Sequence, residues 1–247
     1  MIQDLITNPE FNNTPIFLEY AQKMGYTKQL FYKYVKSGWL EKLGQGVYKK
    51  SNEQLYPMRI IWAAQNHLRK KQIYVSLHSA LNEAGIVHNI RYKAQLQVCM
   101  FSPYFKNRWL LNHPDLKWYK MNLFSEPELH IITNDNGLRL ATPERAMLEL
   151  ISLLPKEADY EEVCNLMIIS TTFRAKVLQE LLEKCTDQKT TRLFLYIAKK
   201  INAPWLNRIS TTNINLGNGI KQMSPGGILD KEIKMVIPKE WINAGHI

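Results

Sequence analysis

Hydrophobic and polar positions alternate in a readable order near the start of the chain. In "TPIFLEYAQKMG", Phe17, Tyr20, Ala21 and Met24 fall at i, i+3, i+4 and i+7, the spacing of one buried helical stripe. Thr14 suits the N-cap of that helix, Pro15 its first position and Gly25 its stop. Thr27 then caps a second helix that runs to about Ser37, before Gly38. Wound at about 100° per residue, this helix divides cleanly, with Lys28, Gln29, Tyr32, Lys33 and Lys36 within an arc of roughly 140°. Leu30, Phe31, Tyr34 and Val35 fill the opposite side. The next stretch, "WLEKLGQGVYKK", reads as strand, tight turn, strand, with Gly44 and Gly46 around Gln45. Two short helices followed by a hairpin predict a winged helix-turn-helix.

The pattern changes beyond the polar connector Lys49–Pro57, which marks an expected domain boundary near Leu55. A helix is predicted over about Met58–Lys70, then a short strand and a helix in "IYVSLHSALNEAGI", with Ser76 as cap and Gly85 as stop. "AQLQVCMF", "LKWYKMNLF", "ELHIIT" and "GLRLA" have β-type composition and predict a sheet between residues 93 and 141. "ATPERAMLELISLLP" predicts a helix capped by Thr142, started by Pro143 and ended by Pro155. Three more helices are expected at about Asp159–Ile169, Thr172–Cys185 and Asp187–Ile201, and the tail from Asn213 to Pro238 reads as glycine-punctuated strand. The expected fold class is α+β: a winged helix-turn-helix over 1–55, then a larger mixed α/β domain over 56–247 with a C-terminal helical part.

Charge adds a direction to this picture. The 247-residue chain has a net charge of +10, and residues 57–125 hold ten basic groups against two acids. Residues 126–191 invert this, with seven basic groups against twelve acids. A basic surface favours polyanions without choosing among DNA, RNA and membrane. The geometry of the second helix chooses, because lysines, a glutamine and a tyrosine on one face reach phosphates and base edges. The expected DNA-contacting residues are Thr27, Lys28, Gln29, Tyr32, Lys33 and Lys36 on the helix, with Lys42, Gln45 and Lys49 on the wing. The opening "MIQDLITNPEF" has neither the basic nor the apolar region of a signal peptide, and the apolar runs fall short of a membrane span, so a cytoplasmic protein is expected.

Catalytic chemistry is hard to find. The histidines at 67, 78, 88, 113, 130 and 246 form no metal-binding motif, and Cys99, Cys164 and Cys185 have neither metal nor redox spacing. No glycine cluster continues into a phosphate loop. Glu144, Arg145 and Glu149 share a helix, where dipole and surface roles account for them. No cofactor is expected.

The run from "YAQKMGYTKQLFYKYVKSGWLEKLGQGVYKK" through "YVSLHSALNEAGI" and "ATPERAMLELISLLP" to "LGNGIKQMSPGGILDKEIKMVIP" resembles the AbiEi antitoxins of type IV abortive-infection toxin–antitoxin systems. The "TPERAMLEL" and "SLHSAL" helices are its most specific pieces. The resemblance implies an N-terminal winged helix-turn-helix that represses the system's own promoter. It also implies a C-terminal domain that antagonises a nucleotidyltransferase-type toxin, without a long-lived complex being required. It places the DNA-contacting element at Thr27–Lys36 and the wing at Lys42–Lys49, and it brings no catalytic motif. The expectation is therefore a phage-defence antitoxin and transcriptional repressor with double-stranded promoter DNA as partner. Two other readings stand beside it: a free-standing repressor, and a nucleic-acid-processing enzyme delivered to DNA by the winged domain.

Overall fold

The computed structural model describes residues 2–87, 94–102, 107–224 and 226–243. In chain order, its first elements are α1 (Ile2–Thr7), β1 (Ile16–Phe17), α2 (Leu18–Lys23), α3 (Lys28–Lys36), β2 (Leu40–Gly44), β3 (Val47–Lys50), α4 (Pro57–Asn66), β4 (Ile73–Val75) and α5 (Leu77–Glu83). There follow β5 (Leu96–Met100), α6 (Arg108–Leu111), β6 (Leu116–Lys120), β7 (Ile131–Thr133), β8 (Arg139–Ala141) and α7 (Pro143–Ser152). The last third holds α8 (Tyr160–Ile169), α9 (Ala175–Lys184), α10 (Gln188–Lys200), β9 (Lys221–Gln222), β10 (Ile228–Asp230), β11 (Met235–Ile237) and α11 (Lys239–Asn243). This is the expected mixture of helix and sheet, with an N-terminal helix–helix–hairpin and a helical C-terminal part.

The chain folds into two compact units, one made of residues 1–75, 93–120 and 133–140, the other of 76–92, 121–132 and 141–247. These units do not follow the division expected near Leu55. In the first, Phe17 and Val47 belong to the same buried cluster as Ile60, Ile61, Ile73, Val98 and Leu140. The winged segment has a buried cluster of its own around Phe31 and Tyr48, and through Phe17 and Val47 it also joins the core of the residues after the connector. Pro57, expected to end that connector, is instead the first residue of α4. Gln65 is buried on α4, and its amide nitrogen donates to the carbonyls of Ile73 and Arg139 at 3.2 and 3.0 Å. Its oxygen accepts from the Arg139 amide at 2.9 Å, so one side chain ties α4 to two strands.

The winged sheet has the order β1–β3–β2. The larger sheet has the order β6–β5–β4–β8–β7, with β4 antiparallel to β5 and parallel to β8. β1 corrects the sequence reading of the first helix. Ile16 and Phe17 pair with Tyr48 and Val47, so α2 begins at Leu18 with Phe17 at its N-cap. Thr14 caps nothing. Its hydroxyl donates to the Asn12 carbonyl and accepts from Arg59 Nε.

In the second unit, α7 is the centre. Residues Glu144 to Ile151 are all buried, and α5, α8, α9 and α10 pack around them. A helix buried on every side must give each charge a partner. Glu144 accepts from the Arg174 amide and its Nε at 2.9 Å and from Nη2 at 3.0 Å. Arg145 Nε donates to Glu149 at 2.8 Å, and the Ser76 hydroxyl donates to the other Glu149 oxygen. Glu144 keeps its expected place in the first turn of α7, but the surface role expected for Glu144, Arg145 and Glu149 is overturned: all three are buried, Arg145 paired with Glu149 and Glu144 with the exposed Arg174. Ser76 sits at the N-cap of α5, but its side chain serves Glu149 rather than the helix. The tail is held by Arg192, which donates to the carbonyls of Leu216, Gly217, Gly219 and Lys234. β9, β10 and β11 form a small sheet there, in agreement with the strand-like pattern.

Candidate nucleic-acid interface

α3 is built from its cap inward. The Thr27 hydroxyl accepts from the Leu30 amide at 3.2 Å, which satisfies one of the open donors of the first turn. Gly25 before the cap and Gly38 after the helix have φ of +91° and +76°, conformations that glycine takes without steric cost. Phe31 is fully buried at the heart of an aromatic cluster. Tyr48 of β3 meets it edge-on at 4.8 Å between centroids, and Tyr26 and Tyr34 lie at 6.2 and 6.3 Å. Such contacts add about 0.5–1.5 kcal/mol each beyond area burial. Because Tyr48 belongs to the hairpin, the same cluster fixes α3 against the wing.

The outward face carries the predicted residues. Lys28, Gln29, Tyr32, Lys33 and Lys36 are all exposed, and Tyr32 reaches 72% exposure. Among the described residues, no ion pair engages Lys28, Lys33, Lys36 or Lys42. The inward residues Phe31 and Tyr34 are buried, and Leu30 and Val35 are half-buried. The helix thus separates its faces as its periodicity predicts.

The wing pairs Leu40 with Lys50, Glu41 with Lys49 and Lys42 with Tyr48, then shifts register before Gly44 meets Val47. Its turn is Gln45–Gly46, with Gly46 at φ +70° and Gln45 exposed. Gly44 needs no unusual backbone angle. A Cβ there would lie 3.1 Å from Trp109 Cδ1, so this glycine makes room for an indole ring. Lys42 is exposed as expected. Lys49 is not free to meet a ligand: its ammonium donates to the Glu53 carbonyl at 2.9 Å and pairs with Glu41 at 3.0 Å.

Two open clefts flank Gln45. One, of about 380 Å³, is lined by Glu19, Gln22, Lys28, Lys42 and Asn107 among others. The other, of about 830 Å³, is lined by Gly44, Asn107, Arg108, Trp109, Asn112 and His113 among others. Residues 107–113 are absent from the sequence-derived site. No local pattern points to them, because it is tertiary packing, with Trp109 against Gly44 and Phe17, that brings α6 beside the wing. The histidines find ordinary places. His67 is buried, stacked on Tyr20 at 4.0 Å and bonded to Glu10 at 3.0 Å, while His78 and His130 pair with Glu162 and Glu180. His113 lies 3.9 Å from Asp115, and His88 and His246 lie outside the described residues. Among the described residues, no group of three or more metal-ligating side chains assembles.

Two family models match the chain. One, described as the N-terminal domain of the AbiEi antitoxin transcriptional regulator, covers residues 7–92. The other, described as "Transcriptional regulator, AbiEi antitoxin, Type IV TA system", covers residues 97–238. The chain belongs to the AbiEi antitoxin family. As a member it is a transcriptional regulator and antitoxin of the type IV class. No curated protein matches it significantly. Among solved structures it is similar to the RV2827C protein from Mycobacterium tuberculosis, with a TM-score of 0.64 at 10% identity. That alignment covers 95% of this chain and 88% of the other, and at this identity it speaks for the fold alone. No helix among the described residues is long and apolar enough to cross a membrane.

Proposed function

We propose that this AbiEi-family chain is a cytoplasmic autorepressor that binds its own promoter duplex through α3 and the wing. One observation carries the reading: α3 presents Lys28, Gln29, Tyr32, Lys33 and Lys36 to solvent on a single face while Phe31 locks the other face to the wing. On a duplex, the lysines would neutralise phosphates, and Gln29 would reach base edges from the first turn of the helix. Lys42 and Gln45 would reach the backbone beside the groove, and Thr27 would serve as the cap that aims the first turn. Lys49, tied to Glu41 and Glu53, is assigned to holding the wing together.

The second half of the proposal rests on family membership. Residues after about Leu55 antagonise a nucleotidyltransferase-type toxin, through no stable complex of necessity, and the chain catalyses no reaction. The two activities divide along the sequence near Leu55 even though the core runs across that point. Footprinting on the chain's own promoter tests the DNA half. Wild type should protect defined sites, and a Lys28/Lys33/Lys36 triple alanine should protect none at the same concentration. Equal protection by both proteins removes α3 from the interface. Co-expression with the cognate toxin tests the other half, since the triple variant should still rescue growth.

A further inference from the structure

The clefts on either side of Gln45 continue the exposed face of α3. Lys28 lines the first cleft together with Lys42, and Asn107 lines both clefts. In the second cleft Arg108 is exposed, and no described lining residue is a carboxylate. Among the described residues, no ion pair engages Arg108. His113 stands beside Asp115.

The position of Arg108 is fixed by its neighbours. Trp109 fills the space left by Gly44 and meets Phe17 edge-on at 6.3 Å. Leu110 is fully buried, its carbonyl accepts from Trp118 Nε1 at 3.1 Å, and its amide donates to the Asn107 side chain at 3.0 Å. α6 is therefore held from both flanks, by the wing on one and by β6 on the other. α6 thus presents the exposed Arg108 side chain beside the wing, and a guanidinium pairs with phosphate in a planar fork.

We infer that α6 is a second arm of the DNA interface, with Arg108 and Asn112 taking phosphates of the strand that passes the wing. The partner is the sugar–phosphate backbone of the same duplex that α3 engages, so the inference rests on the reading above. The occupant follows from charge complementarity: Lys28 and Lys42 outnumber Glu19 along the first cleft, the second adds Arg108 with no carboxylate among its described lining residues, and such a row of cations matches a continuous polyanion. The contact carries affinity without sequence information.

The test is the salt dependence of duplex affinity for the full chain, compared among wild type, Arg108→Ala, Asn112→Asp and the Lys28/Lys33/Lys36 triple alanine. Arg108→Ala should flatten the log–log salt slope by about 0.9 and weaken promoter and scrambled duplex by the same factor. Asn112→Asp should weaken both more strongly, since it adds a negative charge to the cleft. Circular dichroism of each variant should match wild type, because both residues lie outside the buried core. If Arg108→Ala and Asn112→Asp leave slope and affinity unchanged while the triple variant loses binding, the second arm is wrong and the α3 reading stands. If the triple variant also binds normally, the α3 reading is wrong and the second arm falls with it.

Discussion

Lys42 and Lys49 stand on the two strands of one hairpin, and their surroundings give them different work. Lys42 is exposed and engaged by no ion pair among the described residues, so Lys42→Ala should lower the salt slope of DNA binding by about 0.9 and leave the melting temperature in place. Lys49→Ala should leave the slope alone and loosen the hairpin, because it removes the contacts to Glu41 and Glu53. Anisotropy titrations at several salt concentrations, beside thermal melts, separate the two effects. Gln29→Ala should cut discrimination between promoter and scrambled duplex, by about 1–3 kcal/mol if the amide makes a bidentate base contact. In the second unit, Glu149→Ala should cost about 3–5 kcal/mol, since it removes the carboxylate paired with the buried Arg145. Glu144 adds a pH effect. Burial pushes its carboxyl up, but the hydrogen bonds and charge of Arg174 outweigh this and hold it below the ordinary glutamate range. Its contribution is therefore complete above the ordinary glutamate value and lost as pH falls through the lower folded value. Melting temperatures followed from neutral pH down through the carboxylate range should fall less steeply for Glu144→Gln than for wild type. The i,i+4 spacing of Arg145 and Glu149 is legible in the sequence, but their burial and the partners Arg174 and Ser76 are not, because those two residues lie far along the chain. A lone helix with three charges looks like a surface helix until its neighbours are known.

At the scale of elements, α3 and the wing were legible because each is specified locally. The helix has its cap in Thr27 and its stop in Gly38, and its stripe repeats within nine residues. The start of the preceding helix was misplaced for the opposite reason. Thr14 and Pro15 have the chemistry of a helix start, but Ile16 and Phe17 gain more by pairing with β3 some thirty residues later. The sequence pattern puts both wing glycines in turn geometry, and only Gly46 has it. Gly46→Val should disturb the turn through backbone strain, at roughly 1–2 kcal/mol. Gly44→Val should act through Trp109, so pairing it with Trp109→Ala should give a non-additive result of about 0.5–3 kcal/mol in a double-mutant cycle. Additivity in that cycle would show that the ring does not press on the glycine.

For the molecule as a whole, composition and order of elements gave the fold class, while the core gave a division that no linker signal predicts. The polar connector and Pro57 look like a boundary, yet Phe17, Leu43 and Val47 pack with residues of α4, β4 and β8. A fragment beginning at Tyr56 would lose those three side chains and expose their partners in the first unit, so α4, β4 and β8 should lose the amide-exchange protection they have in the full chain. Proteolysis of the full chain should likewise find no early cut between Leu55 and Tyr56. Charge behaves differently from packing. The basic block over 57–125 was evident in the sequence, but its meeting with the wing through Arg108 required the packing of α6.

α3 is the element proposed to meet DNA, and the salt dependence of promoter binding by wild type and the Lys28/Lys33/Lys36 triple alanine tests this most directly. Three lysines released from phosphates should lower the log–log slope by roughly 2–3 units and abolish preference for the promoter over scrambled duplex. An unchanged slope with the preference intact, in a variant whose melt matches wild type, would contradict the account.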